Sequence, residues 1–348
     1  MNDILSTLAS PSRRKLTAGG SALTAAFLLP TGASGASPAD STVQRGSTTR
    51  KDVRFKNGSI DMAGHLYLPK GFDERSKYPA VVSIHPGGGV KEQTAGVYAR
   101  RLAEQGFVAL AFDASHQGAS GGMPRFLDDP MKRVGDIFSA VDYLTSLRYV
   151  DAGRIGSLGI CAGSGAAVKA SALERRIKAV ATVSAVDVGA ASRKGWDGKA
   201  PASDMIAMLE SVAKQRTAEA AGAAPVYVNY VPKLGDTTAP RDLQEAADYY
   251  LTSRGQHPNA PNKMLLTSLG NLAAFTGFEG IDNMLTQPVL LIAGSQAGSL
   301  WHSQALYAKA AGPKELFVVD GATHMDLYDG EGVNVAMTKL SPFFKRSL

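Results

Sequence analysis

The chain reads as an α/β protein: a mostly parallel sheet covered by helices on both faces, with a helical cap inserted between two late strands. Three observations predict it. Short apolar, β-branched runs alternate with amphipathic stretches between residues 80 and 184, and again between 288 and 344. Buried parallel strands are apolar along their whole length, and the crossovers between them need helices. Residues 188–286 break this alternation and are richer in helix formers and aromatics. Finally, the single cysteine lies in Gly159-Ile160-Cys161-Ala162-Gly163, between an apolar run and a stretch of small residues.

The elements follow in order. Residues 53–55 and 60–68 read as two strands joined by Asn57-Gly58, a strong hairpin signal. Residues 80–84 form a buried strand, and 94–105 carry apolar residues at helical spacing. Residues 107–112 are a second buried strand. The stretch 133–147 is a helix with Val134, Ile137, Val141 and Leu144 on one face. Residues 154–160 form a strand, 162–173 a helix and 179–184 another strand. After the insertion come a strand at 288–293, a helix at 300–310, a strand at 315–319 and a helix at 333–344. In a sheet of this kind, an insertion after a late strand covers the strand ends, where ligands bind.

The bulk numbers narrow the function. Of 348 residues, 44% are hydrophobic and 20% charged, with a net charge of +6. No long Lys/Arg block occurs, so nothing in the charge pattern points to nucleic acid. One cysteine excludes an internal disulfide framework. No His/Cys cluster has metal-ligand spacing, and no metal or organic cofactor is expected. The N-terminus reads as a removable signal over residues 1–36. Arg13-Arg14 form a twin-arginine pattern, an apolar stretch 22–29 follows, and Ser34-Gly35-Ala36 ends it. The apolar run is too short to span a bilayer, so stable membrane insertion is not expected. An exported, periplasmic location is the expectation.

The chemistry centres on Cys161. A strand, a glycine-flanked turn and a helix are the parts of a nucleophile elbow, here with sulfur in place of the usual hydroxyl. The helix N-terminus behind the sulfur is expected to favour its thiolate. His85-Pro86-Gly87-Gly88-Gly89 follows a strand directly, where the backbone N–H of Gly87 or Gly88 can face an oxyanion; the N–H of Ala162 supplies the second donor. No GK[ST] follows the glycines, which argues against phosphate binding. His324 lies on a loop past the last strand, where a general base for the thiol belongs.

The acid that should orient His324 is absent from its usual place. The segment after the 288–293 strand reads Gly294-Ser295-Gln296-Ala297-Gly298-Ser299, with no carboxylate. Asp187, Gln296 and Asp326 are the candidate replacements. A glutamine could act through its amide oxygen, as an asparagine does in Cys–His–Asn sites. Asp113 is a candidate brace for the surrounding loops. Trp196, Tyr227, Tyr230, Tyr249, Tyr250, Phe275 and Phe278, all in the insertion, are candidates for an apolar acyl pocket or for the cap's own core.

Four segments, 85–122, 154–165, 248–258 and 314–329, together resemble the dienelactone-hydrolase-like α/β-hydrolases, in the branch that includes polyketide-transferase and thiohydrolase-like proteins. The resemblance spans nearly all of the chain after the signal. It implies the α/β-hydrolase fold, with Cys161 at the nucleophile position and His324 at the histidine position. It further implies a small-molecule acyl substrate: an ester, lactone or thioester. Acyl transfer or non-catalytic binding are the alternatives.

Overall fold

The computed structural model describes residues 48–348, so the expected signal segment lies outside the described residues. An eight-stranded sheet forms the centre. It is built from β1 (Thr49–Asn57), β2 (Ile60–Leu68), β3 (Tyr78–Ile84), β4 (Val108–Phe112), β5 (Val150–Ile160), β6 (Ile177–Val183), β9 (Val289–Gly294) and β10 (Lys314–Val319). Its order is β1-β2-β4-β3-β5-β6-β9-β10. The hairpin β1–β2 is antiparallel and pairs antiparallel with β4; every later pair is parallel.

Alternation along β3 shows how the sheet is covered. Val81 packs into one apolar cluster with α1 (Thr94–Glu104) and α10 (Gly330–Ser347). Ala80, Val82 and Ile84 pack into another, with α2 (Pro130–Ser146), α3 (Ala162–Leu173) and α9 (Leu300–Lys309). Successive strand residues point to opposite faces, so an unbroken apolar run serves both layers. Helix α2 starts three residues earlier than its apolar spacing suggests. Asp129 caps the amides of Met131 and Lys132, and Pro130 occupies the first turn, where no amide donor is needed.

The segment between β6 and β9 holds α4 (Val188–Lys194), α5 (Ala202–Ala220), β7 (Tyr227–Val228), α6 (Arg241–Leu251), β8 (Met264–Leu265), α7 (Ser268–Ala274) and α8 (Ile281–Met284). Its two short strands pair with each other. It has a small apolar core of its own around Met208, Val212, Met264, Leu266 and Leu269. Phe275 and Phe278 instead join the main core. Among the described residues, no helix is long and apolar enough to cross a membrane.

Candidate active site

Cys161 sits between β5 and α3 with φ 52° and ψ −123°, a left-handed conformation that L-residues seldom adopt. The turn is held by hydrogen bonds. Cys161 N–H donates to the Val183 carbonyl at 3.0 Å, and the Cys161 carbonyl accepts from Ser164 and Val186. The two flanking glycines are set by space. A Cβ at Gly159 would lie 2.5 Å from the Ser164 Cα, and one at Gly163 would lie 2.4 Å from the Ile84 carbonyl oxygen. Strand, helix and the loop after β3 meet too closely for any side chain there.

The thiol is surrounded by donors. The N–H groups of Ala162 and Gly87 and the hydroxyl of Tyr328 face the sulfur, and each favours its thiolate form, as does the charge of Arg133. Burial is the larger effect and pushes the Cys161 thiol up. Burial thus works against the thiolate expected from the helix N-terminus. Removal from water outweighs the nearby donors. Gly88, the other candidate donor on the loop, lies beneath the ring of Tyr230.

His324 is 2% exposed. Its backbone is tied to the end of β6, where the Ser184 hydroxyl donates to the His324 carbonyl at 2.9 Å. Burial lowers its pKa to about 3, so the imidazole is neutral. Nδ1 lies 2.6 Å from Ser299 Oγ, and Nε2 lies 3.3 Å from the Tyr328 hydroxyl. Among the described residues, none of its hydrogen bonds runs directly to the sulfur. The link between Cys161 and His324 passes through Tyr328, which touches both.

Ser299 thus occupies the place looked for in Asp187, Gln296 and Asp326. Asp187 caps α4, accepting from Gly189 and Ala190, and also accepts from Phe278. Gln296 is exposed. Asp326 accepts from the Thr323 amide at 2.8 Å. None of these three is hydrogen-bonded to the imidazole. Ser299 is neither a carboxylate nor an amide. Its signal was a hydroxyl at the start of a helix on the loop after β9.

The cap supplies a carboxylate one step further out. Asp242, on α6, is 3% exposed. It accepts from Trp196 Nε1 and from the Gly298 amide, both at 2.8 Å, and from the Ser299 amide. These donors oppose burial, which raises its pKa. The Trp196 ring packs edge-on against His324, with centroids 5.1 Å apart. Tyr249 and Tyr250 pack against Tyr328. Tyr230, Val231, Tyr250, Ala260 and Asn262 line a small cleft with Gly87 and Gly88. Asp113 is fully buried and braces the loops: it accepts from the Lys91 amide at 2.8 Å and the Ala119 amide at 2.7 Å, and pairs with Lys91 Nζ at 2.9 Å. No cluster of three or more potential metal ligands occurs among the described residues.

Sheet order, elbow and histidine loop define an α/β-hydrolase. The sequence profile of the dienelactone hydrolase family matches residues 62–202. Escherichia coli (strain K12) YcjY, an uncharacterized protein, is 44% identical over 294 residues, covering 84% of this chain and 96% of YcjY. The chain belongs to the dienelactone hydrolase family. The crystal structure of hypothetical protein PA2218 from Pseudomonas aeruginosa superposes with a TM-score of 0.82 at 36% identity, covering 87% of this chain and 95% of that one. Polyketide transferase claH of Penicillium crustosum is 26% identical over 296 residues, covering 83% of this chain and 94% of claH.

Proposed function

We propose that the protein hydrolyses small esters, lactones or thioesters through an acyl-cysteine intermediate. The observation that carries this reading is the thiol of Cys161, held at a strained turn against the amides of Ala162 and Gly87 and linked through Tyr328 to a neutral His324. The resting state is a thiol beside a neutral base. Attack on the acyl carbonyl is coupled to proton transfer. The sulfur gives its proton to the Tyr328 oxygen as that hydroxyl gives its own to His324 Nε2. The Nδ1–H of the resulting imidazolium donates to Ser299 Oγ. Negative charge developing on the carbonyl oxygen faces the N–H groups of Ala162 and Gly87. As the tetrahedral intermediate collapses, His324 returns the proton to the leaving oxygen or sulfur. Water, deprotonated by His324, then attacks the acyl-cysteine and releases the acid.

The same intermediate passed to an alcohol or amine would make the protein an acyltransferase. The relative named a polyketide transferase keeps that reading open, whereas the family's hydrolase chemistry favours water. The test is to mix the protein with an activated aryl ester and follow turnover and intact mass, with and without alcohol or amine acceptors. A mass increase equal to the acyl group, mapped to Cys161, is expected, together with release of free acid. Cys161→Ala abolishes both, and His324→Ala abolishes turnover. Turnover retained in either variant would refute the mechanism.

A further inference from the structure

A buried cation lies beneath the Gly87 loop and has no counter-ion of its own. Arg133, on α2, is 5% exposed. Its Nη2 donates to the carbonyl oxygens of His85 at 2.7 Å and Pro86 at 3.2 Å and lies 2.9 Å from His85 Nδ1, and its Nε has no partner. It forms no ion pair among the described residues. Asp136, one turn along the same helix, is engaged by Asn57 and by the amide and hydroxyl of Ser115. An unpaired buried guanidinium is costly, so its placement calls for a compensating interaction.

The carbonyl of Pro86 is where the donors converge. The Ala114 amide donates to His85 Nε2 at 3.0 Å, so the single proton of this neutral ring sits on Nδ1. Nδ1 then donates to the Pro86 oxygen at 2.6 Å. The Gly89 amide reaches the same oxygen at 3.2 Å. The Pro86 carbonyl and the Gly87 N–H belong to one planar peptide unit and point in opposite directions. Donors on the oxygen draw electron density from the nitrogen and strengthen its N–H as a donor, and a low local dielectric enlarges the effect. The Gly87 N–H is one of the two backbone amides on the Cys161 sulfur, and a Cβ on Gly87 would lie 3.4 Å from the Ala162 Cβ.

We propose that Arg133 is a positioning residue that orients and polarises the Pro86–Gly87 peptide, so that the Gly87 N–H stabilises the charge that develops on the acyl oxygen. The proposal rests on the acyl-cysteine reading above. Its test compares the full-length protein with Arg133→Met and Arg133→Lys on an activated aryl ester. A second readout is inhibition by an aldehyde with the same acyl skeleton, which adds to the Cys161 thiol as a tetrahedral hemithioacetal. Arg133→Met should lower kcat about 10- to 100-fold, less than deleting a donor outright, with KM changed no more than about twofold. It should weaken aldehyde binding by a similar factor, while Arg133→Lys regains part of both. A merely structural role predicts no such parallel. Arg133→Met with wild-type kcat, a fall in kcat without a fall in aldehyde affinity, or a lysine variant no better than methionine would each overturn the proposal. If Arg133→Met does not fold, the lysine variant is scored alone, by the same parallel between kcat and aldehyde affinity. A wild-type protein that turns over no ester overturns the acyl-cysteine reading and this proposal together. Unchanged kcat in an active enzyme overturns this proposal alone.

Discussion

Ser299 is the most direct test of how His324 is oriented. To accept a proton at Nε2, the imidazole must carry its own proton on Nδ1, and in that tautomer Ser299 Oγ at 2.6 Å is its acceptor. Ser299→Ala removes the acceptor and leaves an N–H without a partner in a site where His324 is 2% exposed. An unmet buried donor costs about 1–3 kcal/mol. When the ring becomes an imidazolium the need for an acceptor grows, so the loss falls on the transition state. At about 1.4 kcal/mol per factor of ten, kcat should drop about 5- to 150-fold. KM should change little, because Ser299 faces the ring and not the cleft. The assay is steady-state hydrolysis of an activated ester, with a thermal melt to show that the variant is folded. Gln296→Ala is the control, since that side chain is exposed, and it should keep wild-type kcat. Wild-type kcat in Ser299→Ala, or an equal loss in Gln296→Ala, would refute the reasoning.

Tyr328→Phe removes the hydroxyl that links Cys161 to His324. It should lower kcat about 10- to 100-fold, in the range of a lost general acid–base contribution, with the thermal midpoint little changed because the ring packing remains. The same variant should slow alkylation of Cys161 by iodoacetamide at pH 7. The Tyr328 hydroxyl holds the thiol pKa down, so its loss raises a pKa that burial has already raised and leaves less thiolate at a given pH. In acid, burial of His302 and His324 lowers stability, while the raised carboxyls of Asp136 and Asp242 oppose it. Both histidines are held near 3 by burial, below the ordinary imidazole value of 6.5, so below pH 6.5 the unfolded chain binds protons that the folded one does not. Their contribution to stability is complete above pH 6.5 and is lost as pH falls toward 3. Chemical denaturation at pH 7 and 4.5 should show a decrease of order 2 kcal/mol per histidine. An equal pH 7 to 4.5 change in wild type and His302→Gln would contradict a neutral, buried His302.

The legible part of the site consisted of groups fixed by local chain geometry. The Cys161 turn could be read because strand, glycines and helix are adjacent in sequence, and the glycine positions answer contacts within a few residues or with the neighbouring β3 loop. His324 could be read because it follows the last strand of an alternating pattern. Its partner could not, because the pairing spans 25 residues and depends on how two loops meet at the strand ends. Tyr328 was visible as a letter four residues past His324, but its role needs the turn after β10 to bring one hydroxyl to two groups.

The sequence by itself determined the sheet and the elbow and pointed to a candidate oxyanion loop and histidine, since apolar periodicity and glycine spacing are local signals. Tertiary structure decided what surrounds them. Burial made His324 neutral and raised the Cys161 thiol against the pull of the Tyr328 hydroxyl and the Ala162 amide. Long-range packing placed Ser299 on the imidazole, Asp242 of the cap behind the Ser299 loop, and Arg133 under the Pro86 carbonyl. Desolvation and contacts between distant segments depend on the whole fold, and no window of sequence contains them.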